Sequence, residues 1–71
     1  MTFSNKYIIY EDNGKGKEYD NGELEFEGEY LNGKRNGKGK EYGFNGKLIF
    51  EGEYLKGEKL SKEIIYLILL I

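Results

Sequence analysis

Glu23, Glu25, Glu27 and Glu29 alternate with Leu24, Phe26, Gly28 and Tyr30, which sets four carboxylates on one side of an extended segment. Paired carboxylates can hydrolyse glycosides when they flank a cleft roughly 5–9.5 Å across, but a flat strand face offers no cleft. Lysines predicted opposite Glu25 and Glu27 hold both ionised, so ion pairing accounts for them better than acid–base catalysis. Gly28 to Arg35, GEYLNGKR, comes within one residue of a phosphate-cradling loop. Arginine stands where the magnesium-binding hydroxyl belongs, and no helix pattern follows. Asp12 to Glu18 mixes acidic residues with glycines but lacks the ligand spacing of a calcium loop. The chain has neither histidine nor cysteine, which removes the usual zinc ligands and the usual neutral-pH base. These residues predict no enzyme, no metal, no cofactor and no small-molecule substrate.

The elements that carry these residues repeat. GKGKEY at Gly14 to Tyr19 recurs at Gly37 to Tyr42, an offset of 23, and FEGEYL at Phe26 to Leu31 recurs at Phe50 to Leu55, an offset of 24. So short a period belongs to an array in which each unit lends its apolar face to the next. The period-2 alternation of Leu24 to Leu31 returns at Leu48 to Leu55, and Asn-Gly pairs at Asn21-Gly22 and Asn32-Gly33 supply the turns of hairpins. The predicted fold is all-β, an antiparallel sheet of stacked β-hairpins. The whole chain, 1–71, reads as one module, with a partial unit over 1–22, a full unit over 23–46 and a second, degenerating unit over 47–71.

A two-residue turn at Asn32-Gly33 puts Tyr30 opposite Arg35, Gly28 opposite Gly37, Glu27 opposite Lys38, Phe26 opposite Gly39 and Glu25 opposite Lys40. A three-residue loop at Asp20-Asn21-Gly22 puts Gly16 opposite Phe26, Lys15 opposite Glu27 and Lys17 opposite Glu25. Four loop residues, Gly43 to Gly46, put Gly39 opposite Phe50, Lys38 opposite Glu51 and Gly37 opposite Gly52. The glycines thereby become bare backbone over which phenyl rings lie, each burying area worth ~1.5–3 kcal/mol. Lysine–glutamate rows on the other face contribute less and penalise slippage.

FEGEYLNGKRNGKGKEY at Phe26 to Tyr42 resembles a MORN (membrane occupation and recognition nexus) repeat, with Gly28, Glu29, Tyr30, Asn32, Gly33, Lys34, Arg35, Gly37 and Gly39 at matching positions. Asn36 stands where that family often has histidine. A second copy begins at Phe50 and keeps Gly52, Glu53, Tyr54 and Gly57, while Lys56 replaces the turn asparagine and Ser61 and Glu63 replace the later glycines. The resemblance covers Gly14 to about Gly57. It implies an elongated sheet of short hairpins and a role as a scaffold, as an attachment to enzymes, or at phosphoinositide-bearing and cytoskeletal assemblies.

Net charge is −2, from 11 Lys and Arg against 13 Asp and Glu, so no field singles out nucleic acid. Lys34, Arg35 and Lys38 are fewer than the roughly 4–8 clustered cations of a lipid-binding patch. The leading expectation is therefore a non-enzymatic module for protein–protein interaction or scaffolding, with peripheral binding to anionic phospholipid headgroups as the alternative. Tyr19, Tyr42, Lys34 and Arg35 are the candidate partner contacts. Phe26, Gly28, Tyr30, Gly33, Gly37, Gly39, Phe50, Gly52 and Tyr54 are the structural positions of the repeat. The N-terminal ten residues lack the pattern of a secretory signal, which predicts a cytoplasmic chain, membrane- or cytoskeleton-associated in the alternative. The apolar tail over 64–71 is too short to span a bilayer and is predicted as a strand or short helix, covered by the array's own apolar face or by a partner through self-association.

Overall fold

The computed structural model describes residues 5–61 and residue 70. Six strands, β1 (Lys6–Tyr10), β2 (Lys15–Asp20), β3 (Glu23–Leu31), β4 (Lys34–Tyr42), β5 (Leu48–Leu55) and β6 (Glu58–Lys59), form one sheet in sequence order. Every neighbouring pair is antiparallel. The all-β hairpin architecture expected from the alternation is thus the architecture observed. The tail over 64–71 lies outside the described residues, apart from residue 70.

Asn21-Gly22, Asn32-Gly33 and Lys56-Gly57 form the turns, each with both residues at positive φ. That pair of conformations matches the right-handed twist of the flanking strands, and asparagine followed by glycine adopts it at least cost. Asp20 therefore pairs with Glu23 across a two-residue turn, where a three-residue loop was expected. At the β4–β5 connection Gly43 N–H donates to the Lys47 carbonyl at 2.8 Å and closes a loop of Phe44, Asn45 and Gly46 in place of four residues.

Between these ends the register differs from expectation by two residues in all three hairpins of the repeat. Gly28 pairs with Gly39 and Phe26 with Glu41, instead of Gly28 with Gly37 and Phe26 with Gly39. Glu27 pairs with Lys40, not Lys38, and Glu25 is not opposite Lys40. Gly16 pairs with Gly28, Lys15 with Glu29 and Lys17 with Glu27, instead of with Phe26, Glu27 and Glu25. Gly39 pairs with Gly52, Lys38 with Glu53 and Gly37 with Tyr54, instead of with Phe50, Glu51 and Gly52. Only the turn-proximal pairings, Tyr30 with Arg35 and Leu31 with Lys34, follow the simple count.

Bulges cause the displacement. Between the pairs Tyr30–Arg35 and Gly28–Gly39, Glu29 alone stands against Asn36, Gly37 and Lys38. Gly37 takes φ +103°, a conformation that side chains with a Cβ resist, and Glu29 Oε1 accepts the Lys38 N–H at 2.7 Å. The carboxylate supplies the acceptor that the interrupted ladder does not. In the other two hairpins the shortened loop accounts for one residue of displacement and a bulge for the second. The register shifts between Glu18 and Tyr19 and between Glu41 and Tyr42, which sets Glu25 and Ile49, equivalent positions of the repeat, outside the pairing.

Because the displacement beyond the bulges is even, side chains there keep their predicted faces, whereas at the turn ends Tyr19 opposite Leu24 and Tyr42 opposite Leu48 are displaced by one. What changes beyond the bulges is the neighbour: the glycines stand opposite one another as Gly16, Gly28, Gly39 and Gly52, one per strand from β2 to β5. The aromatic rings lean over this row. A Cβ on Gly39 would stand 2.5 Å from Phe26 Cε1 and Cζ and 2.9 Å from Tyr54 Cε1. Phe26 is fully buried and Tyr54 nearly so, at 0% and 3% exposure, and they form the centre of a one-sided core.

Candidate functional site

On the aromatic face the rings form a continuous edge-to-face series: Tyr10–Tyr30 at 5.4 Å, Tyr30–Phe26 at 5.7 Å, Phe26–Tyr54 at 5.1 Å and Tyr54–Phe50 at 5.7 Å. Perpendicular contacts of this kind set the positive edge of one ring against the negative face of the next. The series crosses from one repeat to the other at Phe26–Tyr54.

A charged clasp lies over these rings. Arg35 on β4 grips Glu18 on β2 with two bonds, Nε to Oε2 at 2.6 Å and Nη2 to Oε1 at 2.9 Å. Its third nitrogen, Nη1, donates to Glu41 Oε1 at 2.9 Å. Tyr30 hydroxyl donates to Glu18 Oε2 at 2.6 Å, and Tyr54 hydroxyl to Glu41 Oε1 at 2.7 Å. The guanidinium carbon sits 4.1 Å above the Phe26 ring centre, and Lys59 Nζ sits 4.6 Å from the centre of Phe50 while pairing with Glu41 Oε2 at 2.9 Å. Glu18, Phe26, Tyr30 and Arg35 thus recur as Glu41, Phe50, Tyr54 and Lys59. The rigid fork of arginine allows it to hold two carboxylates while stacking on a ring, and lysine at the equivalent place holds one.

The clasp fixes the protonation of its members. Burial pushes the Glu18 carboxyl up, but bonds from Arg35 and Tyr30 and the guanidinium charge outweigh it, leaving the group below its ordinary value. Glu41 is likewise lowered, burial being outweighed by bonds from Lys59 and Tyr54 and by the Lys59 and Arg35 charges. Burial and then the bond to a carboxylate raise both Tyr30 and Tyr54. The Glu18 bond, working against burial, raises Arg35. At neutral pH Glu18 and Glu41 are therefore ionised, while Tyr30, Tyr54 and Arg35 keep their protons.

The opposite face is built of charge. Two rows run across β2 to β5: Lys17, Glu27, Lys40 and Glu51, and Lys15, Glu29, Lys38 and Glu53. Glu29 and Lys38 border the bulge, and every other adjacent pair within a row is in direct register. They bound a groove of about 860 Å³ whose floor is the glycine row. Among the described residues, only Lys40–Glu51, at 4.0 Å, closes an ion pair within either row.

The candidate contact residues fall in separate settings. Arg35 is spent on the clasp and is only 23% exposed in its side chain. Lys34 is exposed at the β3–β4 turn. Tyr19 stacks on Tyr7 with ring centres 5.2 Å apart and planes 16° apart, and Tyr42 hydroxyl donates to Glu27 Oε1 at 2.8 Å, which raises its pKa through that bond first. Sequence reasoning did not assign Glu18, Glu41 or Lys59 a place. The signal was present: both glutamates precede the last tyrosine of GKGKEY, on the side of the strand that carries the glycines, where an acidic residue needs a partner.

The fold and the clasp define an antiparallel hairpin sheet made of equivalent, interlocked units. Comparison of the chain with protein-family models, with curated proteins and with solved structures finds no match.

Proposed function

We propose that the chain is a non-enzymatic repeat module of MORN type that works by protein–protein contact or scaffolding. The observation that carries this reading is the sharing of Arg35. It neutralises Glu18 of one unit and Glu41 of the next while covering Phe26, so the chemistry of the aromatic face is directed at joining units together. The opposite face and the turns are left for contact, and Tyr19, Tyr42 and Lys34 are the residues we assign to it.

The test is capture of proteins from an extract of the source cells by immobilised wild type, by a Tyr19→Ala, Tyr42→Ala variant shown to be folded by circular dichroism, and by a surface bearing a scrambled sequence. The wild type retains a reproducible set of proteins that the variant loses. Equal capture by wild type and variant removes the two tyrosines as contacts, and capture no greater than on the scrambled surface removes the interaction reading itself.

A further inference from the structure

The charged face is complementary to itself at all eight row positions about one two-fold axis, and we infer that it is the docking surface for a second copy of this chain. From β2 to β5 both rows read plus, minus, plus, minus. A two-fold axis parallel to the strands, passing between β3 and β4, lays β2 over the β5 of a facing copy and β3 over its β4. Lys17 then meets Glu51, Glu27 meets Lys40, Lys15 meets Glu53 and Glu29 meets Lys38. All eight positions of each copy meet an opposite charge.

The match depends on strand number. The rows span four strands, and reversing an alternating series of even length inverts the sign at every place, whereas three or five strands would set like on like. A two-fold axis across the strands would lay one row over the other and oppose lysine to lysine on β2 and β4, glutamate to glutamate on β3 and β5. Complementarity therefore selects the aligned packing, the arrangement in which stacked sheets keep their strands within about 30° of one another.

Two further features fit this occupant. Lys15, Lys17, Lys38 and Glu53 close no ion pair among the described residues, although the register sets opposite charges beside them, so half of the row charges remain available to a facing sheet. The positions between the rows face the aromatic side, which leaves the groove between the rows open, and the ~10 Å separation of packed sheets is spanned by a lysine meeting a glutamate. The contact is electrostatic, so association is weakened by salt. Raising the concentration from ~0.01 M to ~0.15 M shortens the screening length from about 30 Å to about 8 Å and raises the dissociation constant on the order of tenfold or more.

This inference rests on reading the chain as an interaction module, and the two fail separately, since a monomeric wild type would leave capture of other proteins untouched. Sedimentation equilibrium of the full chain tests it with Lys15→Glu, Lys17→Glu as one variant and Glu51→Lys, Glu53→Lys as the other. The wild type is a dimer at low salt and dissociates as salt rises. Each variant alone is monomeric, and their equimolar mixture forms a heterodimer, because each reversed pair then faces its reversed counterpart. A wild type that is monomeric at low salt, variants that dimerise as the wild type does, or a mixture that stays monomeric overturns the proposal. If a double variant loses its fold by circular dichroism, Lys15→Glu and Glu53→Lys give the same three-way comparison.

Discussion

Replacing Gly39 with alanine adds one methyl group directly beneath the two core rings. It would stand 2.5 Å from two atoms of Phe26 and 2.9 Å from Tyr54, the two residues that make up the buried core among the described residues. Two responses are open to the protein. It can keep both rings and bear the overpacking, about 1–3 kcal/mol, or release Phe26 and lose burial worth about 1.5–3 kcal/mol. The cheaper response sets the loss, so about 2 kcal/mol is expected, against a total stability of about 4–11 kcal/mol for a chain of this length. For a domain of this size that lowers the melting temperature by about 8–16 °C in differential scanning calorimetry. Gly52→Ala is the informative comparison. Its methyl would meet Phe50 Cζ at 2.8 Å, but Phe50 is only partly buried and has room to turn outward, so the loss stays below about 1 kcal/mol. Lys38→Ala removes an exposed side chain and costs within about 0.5 kcal/mol. A Gly39→Ala variant that melts no lower than Lys38→Ala, or a Gly52→Ala variant that melts as low as Gly39→Ala, would refute the assignment of Gly39 as the seat of the two core rings.

Arg35→Lys retains the charge but loses the forked bond to Glu18 and the reach to Glu41, and is expected to destabilise by about 1–3 kcal/mol in urea unfolding; an unchanged midpoint would show that the bonds of the clasp contribute nothing. Glu18 and Glu41 have folded pKa values below their ordinary 4.5, so their contribution is present above that pH and is lost as the pH falls through the folded values. Tyr30 and Tyr54 are raised above their ordinary 10.0, so theirs is present below pH 10.0 and is lost as the pH rises toward the folded values. The urea midpoint of the wild type should fall on both sides, with the acid limb reduced in a Glu18→Gln, Glu41→Gln variant; identical acid limbs would place the sensitivity elsewhere.

The hairpins and the faces of the side chains in the middle of the strands were legible in the sequence, because period-2 alternation and Asn-Gly pairs report on local backbone geometry. The connections at Asn21-Gly22 and at Phe44 to Gly46 are each one residue shorter than expected. Pairing along the strands was not legible, because each bulge is fixed by partners far away in the chain. Glu29 caps the N–H of Lys38, a residue nine positions on, and nothing in GEYLNGKR announces that three residues of the next strand will stand against it. Rings do lie over the glycines, but Tyr30 covers Gly16 and Tyr54 joins Phe26 over Gly39, where Phe26 and Phe50 were expected, because a ring leans along its strand. Phe26 therefore covers Gly39 while pairing with Glu41. The clasp was hidden for a related reason. Arg35 reads as an exposed cation beside a turn until the twisted sheet brings Glu18, 17 residues earlier, within reach of it.

The added residue in the second unit marks where such a chain can change. Its length is absorbed entirely in the connection, a two-residue turn at Asn21-Gly22 becoming a three-residue loop at Phe44 to Gly46, while the bulges at Glu25 and Ile49 keep equivalent places. The sheet thus separates what must be kept from what is free to vary. Side-chain parity is guarded in the strands, and novelty enters at the hairpin tips. Phe44 is already such a novelty, an aromatic ring 89% exposed at the end of its loop, by which one unit is told from another while their shared face stays the same.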